Sequence, residues 1–323
     1  ARFMSRCLGY FSKGATTKTT VLVATSGDTG GAVANGFLGV EGVEVVILYP
    51  KGKVSPIQEL QLTTCGQNIK AVEVEGSFDD CQAIVKDAFM DEALNKAYNL
   101  TSANSINVAR WLPQQLYYIF AWQAWVQQYG DTVPMNVVVP SGNFGNICAG
   151  MMAKASGLPI GHFVAACNQN DVVTRYLQTE QYEVRKAVAT LSNAMDVGNP
   201  SNFVRILEIM QNNFAQLKNA LSSYSYDDQA TEDTISKVYQ QYHYTLDPHG
   251  AVAYLAAEAF TKGTNHKALI LETAHPVKFP EVVERAIQQK IDIPASVQFL
   301  LDKQKVAIPM KASFSAFKEW MLG

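Results

Sequence analysis

The chain has 323 residues, 48% of them hydrophobic and 17% charged, with a formal net charge of -3. Such a chain can bury a large core, and its length points to two domains; its Lys and Arg are scattered rather than striped, so nucleic acid is not an expected partner. No apolar run approaches the roughly 20 residues that cross a bilayer, and no signal-type apolar core opens the sequence, so no membrane partner is expected and the cytoplasm is the expected location.

The first residues, with Phe3, Met4, Cys7, Leu8 and Phe11 at helical spacing, predict a helix without a capping residue at Ala1 or Arg2. We expect a helix entered partway along, in a chain that is a piece of something longer. Val21 to Thr25 read as a buried strand, and SGDTGG, Ser26 to Gly31, opens a helix expected over Gly31 to Leu38. Next come strand Val43 to Tyr49, a helix near Ser55 to Cys65, strand Ile69 to Val74 and a helix near Phe78 to Ala88. Strands alternating with helices predict an α/β fold with parallel sheets, right-handed crossovers and a ligand at the carboxyl ends of the strands.

From Leu100 to Asn107 the polar run LTSANSIN breaks the pattern, and an aromatic-rich segment, Val108 to Tyr129, interrupted by Pro113, is expected to cross between domains. The boundary is placed near Arg110, giving a smaller domain 1–110 and a larger one 111–323, each a largely parallel sheet flanked by helices. In the second, strands are expected at Asn136 to Val139, His162 to Cys167 and Ala268 to Glu272, with helices near Ile147, Val172, Phe203, Thr231, Gly250 and Pro280. The tail from Leu301 reads as a loop and a helix.

PSGNFGN, Pro140 to Asn146, joins a β-branched strand to a helix start. Gly142 and Gly145 permit a tight turn and close approach, and the helix end offers free N–H groups and about half a positive charge. A phosphate suits it; an ordinary βα turn with a cap is the plain alternative. SGDTGG is a second such turn, and two in one chain suggest a shared cleft. Its G-x-x-G-G spacing is not the dinucleotide fingerprint, and strand Val43 to Tyr49 ends in Tyr49 and Pro50 without the acidic residue that holds a ribose, which disfavours a dehydrogenase.

SANSIN followed by Arg110 sets amides and hydroxyls beside a cation, a mixture that grips an anion; a polar linker is the alternative. Thr273, after a wholly apolar strand, points a hydroxyl into the cleft or satisfies its own turn. Asp28 reads as a helix cap that can also touch a ligand, and Asp247 as the cap of the helix opened by DPHG. His275 has no Ser or Cys partner, so it receives a minor role. Cys7, Cys65, Cys81, Cys148 and Cys167 show neither C-x-x-C spacing nor a His at metal-ligand distance, so no metal is expected and free thiols in a reducing compartment are the simpler account.

Taken in order, ATSGDTGGAVA, VVILYPKGKVSPIQ, NSINVAR, PSGNFGN, LSNAMDVGNPSNF and TAHPVKF resemble the threonine synthase family across essentially the whole chain, in its bacterial and fungal branch. The resemblance implies the fold type II architecture of pyridoxal-phosphate enzymes, similar to the tryptophan synthase β subunit, and pyridoxal 5'-phosphate as cofactor. It implies that Gly142, Asn143, Phe144, Gly145 and Asn146 hold the cofactor phosphate, that Thr273 faces the pyridine nitrogen and that Asp28 stands beside the 3'-oxygen. Thr25, Ser26 and Thr29 would hold the substrate carboxylate, and Asn104, Ser105 and Arg110 its phosphate.

The implied reaction converts O-phospho-L-homoserine and water to L-threonine and phosphate through proton removals at Cα and Cβ, γ-elimination and β-hydration, in a monomer or small homo-oligomer. The family's Schiff-base lysine, in an F-K-D-F-type motif, has no counterpart here: Lys51, Lys53 and Lys278 fall in other motifs. That lysine is expected upstream of Ala1, and residues 1–323 by themselves are expected to be inactive. A phospho-lyase or dehydratase of the same fold, releasing a 2-oxo acid, and a non-catalytic cofactor- or phosphate-binding module are the alternatives.

Overall fold

The computed structural model describes all 323 residues, Ala1 to Gly323, which divide into a unit of residues 1–110 with 293–323 and a unit of residues 111–292. The first unit is built on a five-stranded sheet of β1 (Thr19–Ala24), β2 (Val43–Pro50), β3 (Ile69–Glu75), β4 (Asn99–Ser102) and β9 (Ile308–Lys311), in the order β4-β1-β2-β3-β9 and parallel throughout. Its central strands are continuous apolar runs because both faces are covered. Val21 and Val23 pack on one side with Val33, Ala34 and Phe37, whereas Leu22 and Ala24 pack on the other with Cys81, Ile84 and Val85. One strand therefore feeds two cores, as its period of two requires.

Two segments of this unit depart from expectation. The polar stretch before SANSIN is an edge strand, β4, with Thr19 opposite Asn99 and Leu22 opposite Ser102; an edge position tolerates polar residues that a central strand would not. The tail, expected with the second domain as part of 111–323, lies in the first unit. There β9 adds to β3, and helix Phe314–Leu322 places Phe317 and Met321 in the core beside Val72 and Val74. Lys305 pins the approach to β9, its ammonium 2.7 Å from Glu59 and also bonded to Glu73. Such long-range closure leaves no local periodicity to read.

The second unit holds β5 (Met135–Pro140), β6 (Ile160–Cys167), β7 (Leu221–Ser225) and β8 (Ala268–Ile270), parallel and ordered β7-β6-β5-β8. Val137 and Val139 face Ile147 and Cys148 of helix Gly145–Ala155; Val138 faces Val252, Ala253 and Ala256 of helix Pro248–Thr261. The aromatic-rich segment 108–129 splits at Pro113 into helices Val108–Trp111 and Gln115–Tyr129 around a single 3-10 turn, because proline cannot continue a helix hydrogen bond. β8 stops at Ile270, short of the Glu272 expected, so Thr273 stands in a loop three residues beyond the strand.

Each sheet has a point where the chain reverses direction across it. In the first, successive strands step from β1 to β2 to β3 and then return to the far side of β1 as β4; in the second, they step from β5 to β6 to β7 and return beside β5 as β8. Crevices open at the carboxyl ends of such strand pairs. Those ends carry SGDTGG and SANSIN in one unit, and PSGNFGN and ETAHP in the other.

Candidate active site

The loop from Pro140 to Asn146 is held from three sides. Phe144, at the N-cap of helix Gly145–Ala155, adopts a left-handed conformation with φ 59°, and its ring packs edge-on to Phe203 at 5.7 Å. A bulky residue in that region is strained, so the turn is imposed by its surroundings. Asn143 Oδ1 accepts from the backbone N–H of Ser201 at 2.6 Å and from its hydroxyl at 2.8 Å, and Asn202 Nδ2 donates to the Asn143 carbonyl at 3.0 Å. The buried Tyr118 hydroxyl donates at 3.0 Å to Asn146, whose carbonyl and side-chain oxygens both lie in reach.

The glycines work differently from the sequence reading. Positive φ belongs to Phe144 rather than to Gly142 or Gly145. Gly142 is required because a Cβ there would lie 2.5 Å from the Met195 Cα. The first-turn N–H groups of an 11-residue helix thus open onto the loop without intrahelical acceptors, and that turn holds no acidic residue. Amide donors, a helix dipole and no competing carboxylate suit a phosphate dianion.

Behind this loop lies Met195, in a segment with little regular structure that is organised by Asp196. Its carboxylate accepts from Asn168 at 2.9 Å, Asn170 at 3.2 Å, the Thr190 hydroxyl at 2.7 Å and the Thr190 N–H at 3.0 Å. Burial nonetheless outweighs these donors and raises its pKa to about 6. Ser201, Asn202, Met195 and Tyr118 were not singled out as site residues from the sequence. The run LSNAMDVGNPSNF was visible there, but nothing local says that it folds behind Gly142.

In the first unit, Thr25 is buried, and its hydroxyl oxygen accepts from the N–H groups of Gly27 at 2.9 Å and Gly30 at 2.8 Å. This closes the turn and starts the helix at Asp28, three residues before the expected Gly31. Asp28 is accordingly not the cap. Gly27 is, with φ 134°, and Asp28 Oδ1 accepts instead from Gln58 Nε2 at 3.0 Å. Gln58, buried and engaged in a capping box with Ser55, links the β1 and β2 loops; its role was not foreseen. Ser26 and Thr29 are half-buried on the same turn.

Asn104 pairs with Ala24 as a strand would, its Nδ2 donating to the Ala24 carbonyl at 2.7 Å and its Oδ1 accepting from the Ala24 N–H at 3.2 Å. This joins SANSIN to the end of β1 beside Thr25. Ser105 follows at once, and Arg110 turns back so that its guanidinium donates to the Ala103 carbonyl. Burial lowers the Arg110 pKa, and a partly desolvated guanidinium binds an anion more strongly than one in water. Thr25, Ser26, Asp28, Thr29, Asn104, Ser105 and Arg110 are therefore gathered at one strand-end crevice.

Thr273 and His275 line a cavity of about 770 Å³ in the second unit. The His275 ring accepts from the Val277 N–H at 3.1 Å and so caps the turn Pro276–Lys278. Burial pushes the thiols of Cys148 and Cys167 up to about 11 and that of Cys81 to about 12, so none is a ready nucleophile.

Residues 1–271 match the family described as pyridoxal-phosphate dependent enzyme, and residues 250–321 match the threonine synthase C-terminal family. Threonine synthase of Escherichia coli is 42% identical over 99% of this chain and 73% of its own length, and that of Haemophilus influenzae 44% identical over 94% and 71%. The crystal structure of the Escherichia coli enzyme superposes with a TM-score of 0.90 at 42% identity, covering 99% of this chain and 73% of that one. A pyridoxal-phosphate-bound threonine synthase from Brucella melitensis superposes with a TM-score of 0.88 at 33% identity, covering 98% and 73%. With the fold type II architecture and the two strand-end loops already in place, these matches show that the chain belongs to the threonine synthase family of pyridoxal-phosphate-dependent lyases.

Proposed function

We propose that Gly142, Asn143, Phe144, Gly145 and Asn146 bind the phosphate of pyridoxal 5'-phosphate, that Thr273 meets its pyridine nitrogen and that Asp28 lies by its 3'-oxygen. On this reading the substrate is O-phospho-L-homoserine, and the products are L-threonine and phosphate. The observation that carries it is the turn at Phe144, tied by Ser201, Asn202 and Tyr118, which presents helix N–H groups with no acidic neighbour.

When bound, pyridoxal phosphate supplies the electron sink that makes the substrate's carbon-bound hydrogens acidic. The chain's own residues position and charge-match. The N–H groups at Gly145 and Asn146 hold a dianion by hydrogen bonds and the helix dipole. Thr25 shapes the turn so that the Ser26 and Thr29 hydroxyls and nearby N–H groups receive a carboxylate. Arg110, aimed by its bond to Ala103 and flanked by Asn104 and Ser105, binds the substrate phosphate and stabilises its charge as it departs. A hydroxyl at Thr273, unlike a carboxylate, leaves the ring nitrogen less protonated.

We also propose a cytoplasmic monomer or small homo-oligomer acting on a small molecule. Supporting this are the free cysteines; in addition, no helix is long and apolar enough to cross a membrane. The deciding experiment supplies O-phospho-L-homoserine to the natural, cofactor-loaded protein and assays phosphate, threonine and 2-oxobutyrate. Equal release of phosphate and threonine is expected; 2-oxobutyrate as the main product would replace this reading with that of a phospho-lyase or dehydratase.

A further inference from the structure

We propose that the carboxyl groups of Asp247 and Glu272 share a single proton, carried by Glu272, and that this pair together with His249 is a positioning device for Thr273. Asp247 caps helix Pro248–Thr261 and is fully buried. Its Oδ1 accepts from the His249 N–H at 2.8 Å and from His249 Nδ1 at 2.6 Å, while its Oδ2 has no N–H or hydroxyl donor in reach. The Glu272 carboxyl lies on the first turn of the same helix, at Gly250, where a Cβ would overlap it, and the Asp247 charge acts on it there. Two ionised carboxylates offer only lone pairs, so a hydrogen bond between them requires a proton on one.

The environment decides which group holds the proton. Burial opposes the Asp247 charge, but the two His249 hydrogen bonds, joined by that ring's charge whenever it is protonated, outweigh it and the pKa falls, helped by the helix N-terminus. Burial and the Asp247 charge push Glu272 up to about 8. Because Glu272 is also exposed along the cavity, we assign the larger share of its shift to Asp247. Tyr239, Tyr244, His275, Lys278, Lys290 and Asp292 are the cavity's other ionisable lining groups. Of these, Tyr244 feels the pair most clearly, its pKa raised first by burial and then by Glu272 and Asp247.

The network also runs the other way. His249 Nε2 accepts from the Ala194 N–H at 3.3 Å, so its partners assign a neutral ring with the hydrogen on Nδ1. Ala194 and Met195 are the backbone against which Gly142 is pressed. One chain of contacts therefore joins the backing of the phosphate loop to the residue preceding Thr273. A neutral Glu272 keeps negative charge away from Thr273, where a carboxylate would draw a proton onto a ring nitrogen. This last consequence rests on the proposed role of Thr273; the shared proton does not.

Infrared spectra of the cofactor-free protein between about pH 6 and pH 9 test the pair. A protonated-carboxyl C=O band fading with a midpoint near 8 is expected and is missing from Glu272→Gln, in which only the Asp196 signal, fading near pH 6, remains. That variant, whose amide still donates to Asp247, should keep the wild-type melting temperature at pH 6, whereas Glu272→Ala should lose several degrees. A wild type without the band, or a band untouched by Glu272→Gln, overturns the shared proton. In the loaded protein, the cofactor's visible absorbance should titrate near pH 8 in the wild type and not in Glu272→Gln. Identical spectra in the two proteins overturn the positioning role. Failure of pyridoxal phosphate to bind strikes at the proposed function and leaves the infrared result to decide the pair.

Discussion

Gly142 and Asp196 show how single residues set the phosphate loop. Gly142→Ala would force a Cβ to 2.5 Å from the Met195 backbone, which cannot yield as a flexible side chain would. Overpacking of this kind costs about 1–3 kcal/mol. Because the displaced atoms back the N–H cradle, we expect at least a tenfold weaker pyridoxal-phosphate affinity by fluorescence titration, with a smaller change in melting temperature. Asp196 makes a pH-dependent contribution. Its folded pKa is raised to about 6 from 3.8, so the stability it contributes is fully present below the lower value and is lost as pH rises through the upper. The melting temperature of the wild type relative to Asp196→Asn should accordingly fall between pH 4 and pH 6 and level off above. A difference that grows with pH would contradict it. The Asp196 side chain looks ordinary in the sequence; its donors come from Asn168, Asn170 and Thr190, and only folding brings them together.

At the scale of elements, the tail is the clearest case. Deleting residues 306–323 removes β9 and helix Phe314–Leu322, and with them Met310, Phe317 and Met321 from a core shared with Val72, Val74 and Ile84. Each such side chain contributes about 1.5–3 kcal/mol by burial. The truncated chain should therefore lose several kcal/mol in urea unfolding, and Phe317→Ala alone about 3–5 kcal/mol. Lys305→Ala should cost about 1–3 kcal/mol, since Glu59 is partly exposed and water-screened but Glu73 is buried and would lose its ammonium partner. The central strands β1, β2, β3, β5 and β6 were readable because parallel strands covered on both faces are continuous apolar runs. β4, β7 and β9 were not read as strands: the first two are polar and partly exposed, and the third is short and held by a partner more than 200 residues away.

For the whole molecule, each unit has its own sheet and its own cores. Pyridoxal phosphate held by loop 140–146 should stabilise the unit of residues 111–292 by mass action, by about 2.7 kcal/mol at a free concentration 100 times its dissociation constant. Calorimetry with added cofactor is expected to move the transition of that unit upward, and pyridoxal lacking the phosphate should shift it far less. Equal shifts with the two compounds would remove the phosphate from the binding account. The α/β class, the parallel sheets, the two strand-to-helix loops and the family were all legible in the chain, because apolar periodicity and contiguous loop motifs are local properties. Tertiary structure alone decided that Phe144 rather than a glycine takes the left-handed turn, that Gly27, with its turn closed by Thr25, rather than Asp28 caps its helix, and that the tail returns to the first sheet. It also set Glu272 against Asp247. Each of these outcomes depends on atoms that meet only when distant segments pack, and steric pressure, hydrogen-bond supply and shared charge have no one-dimensional signature.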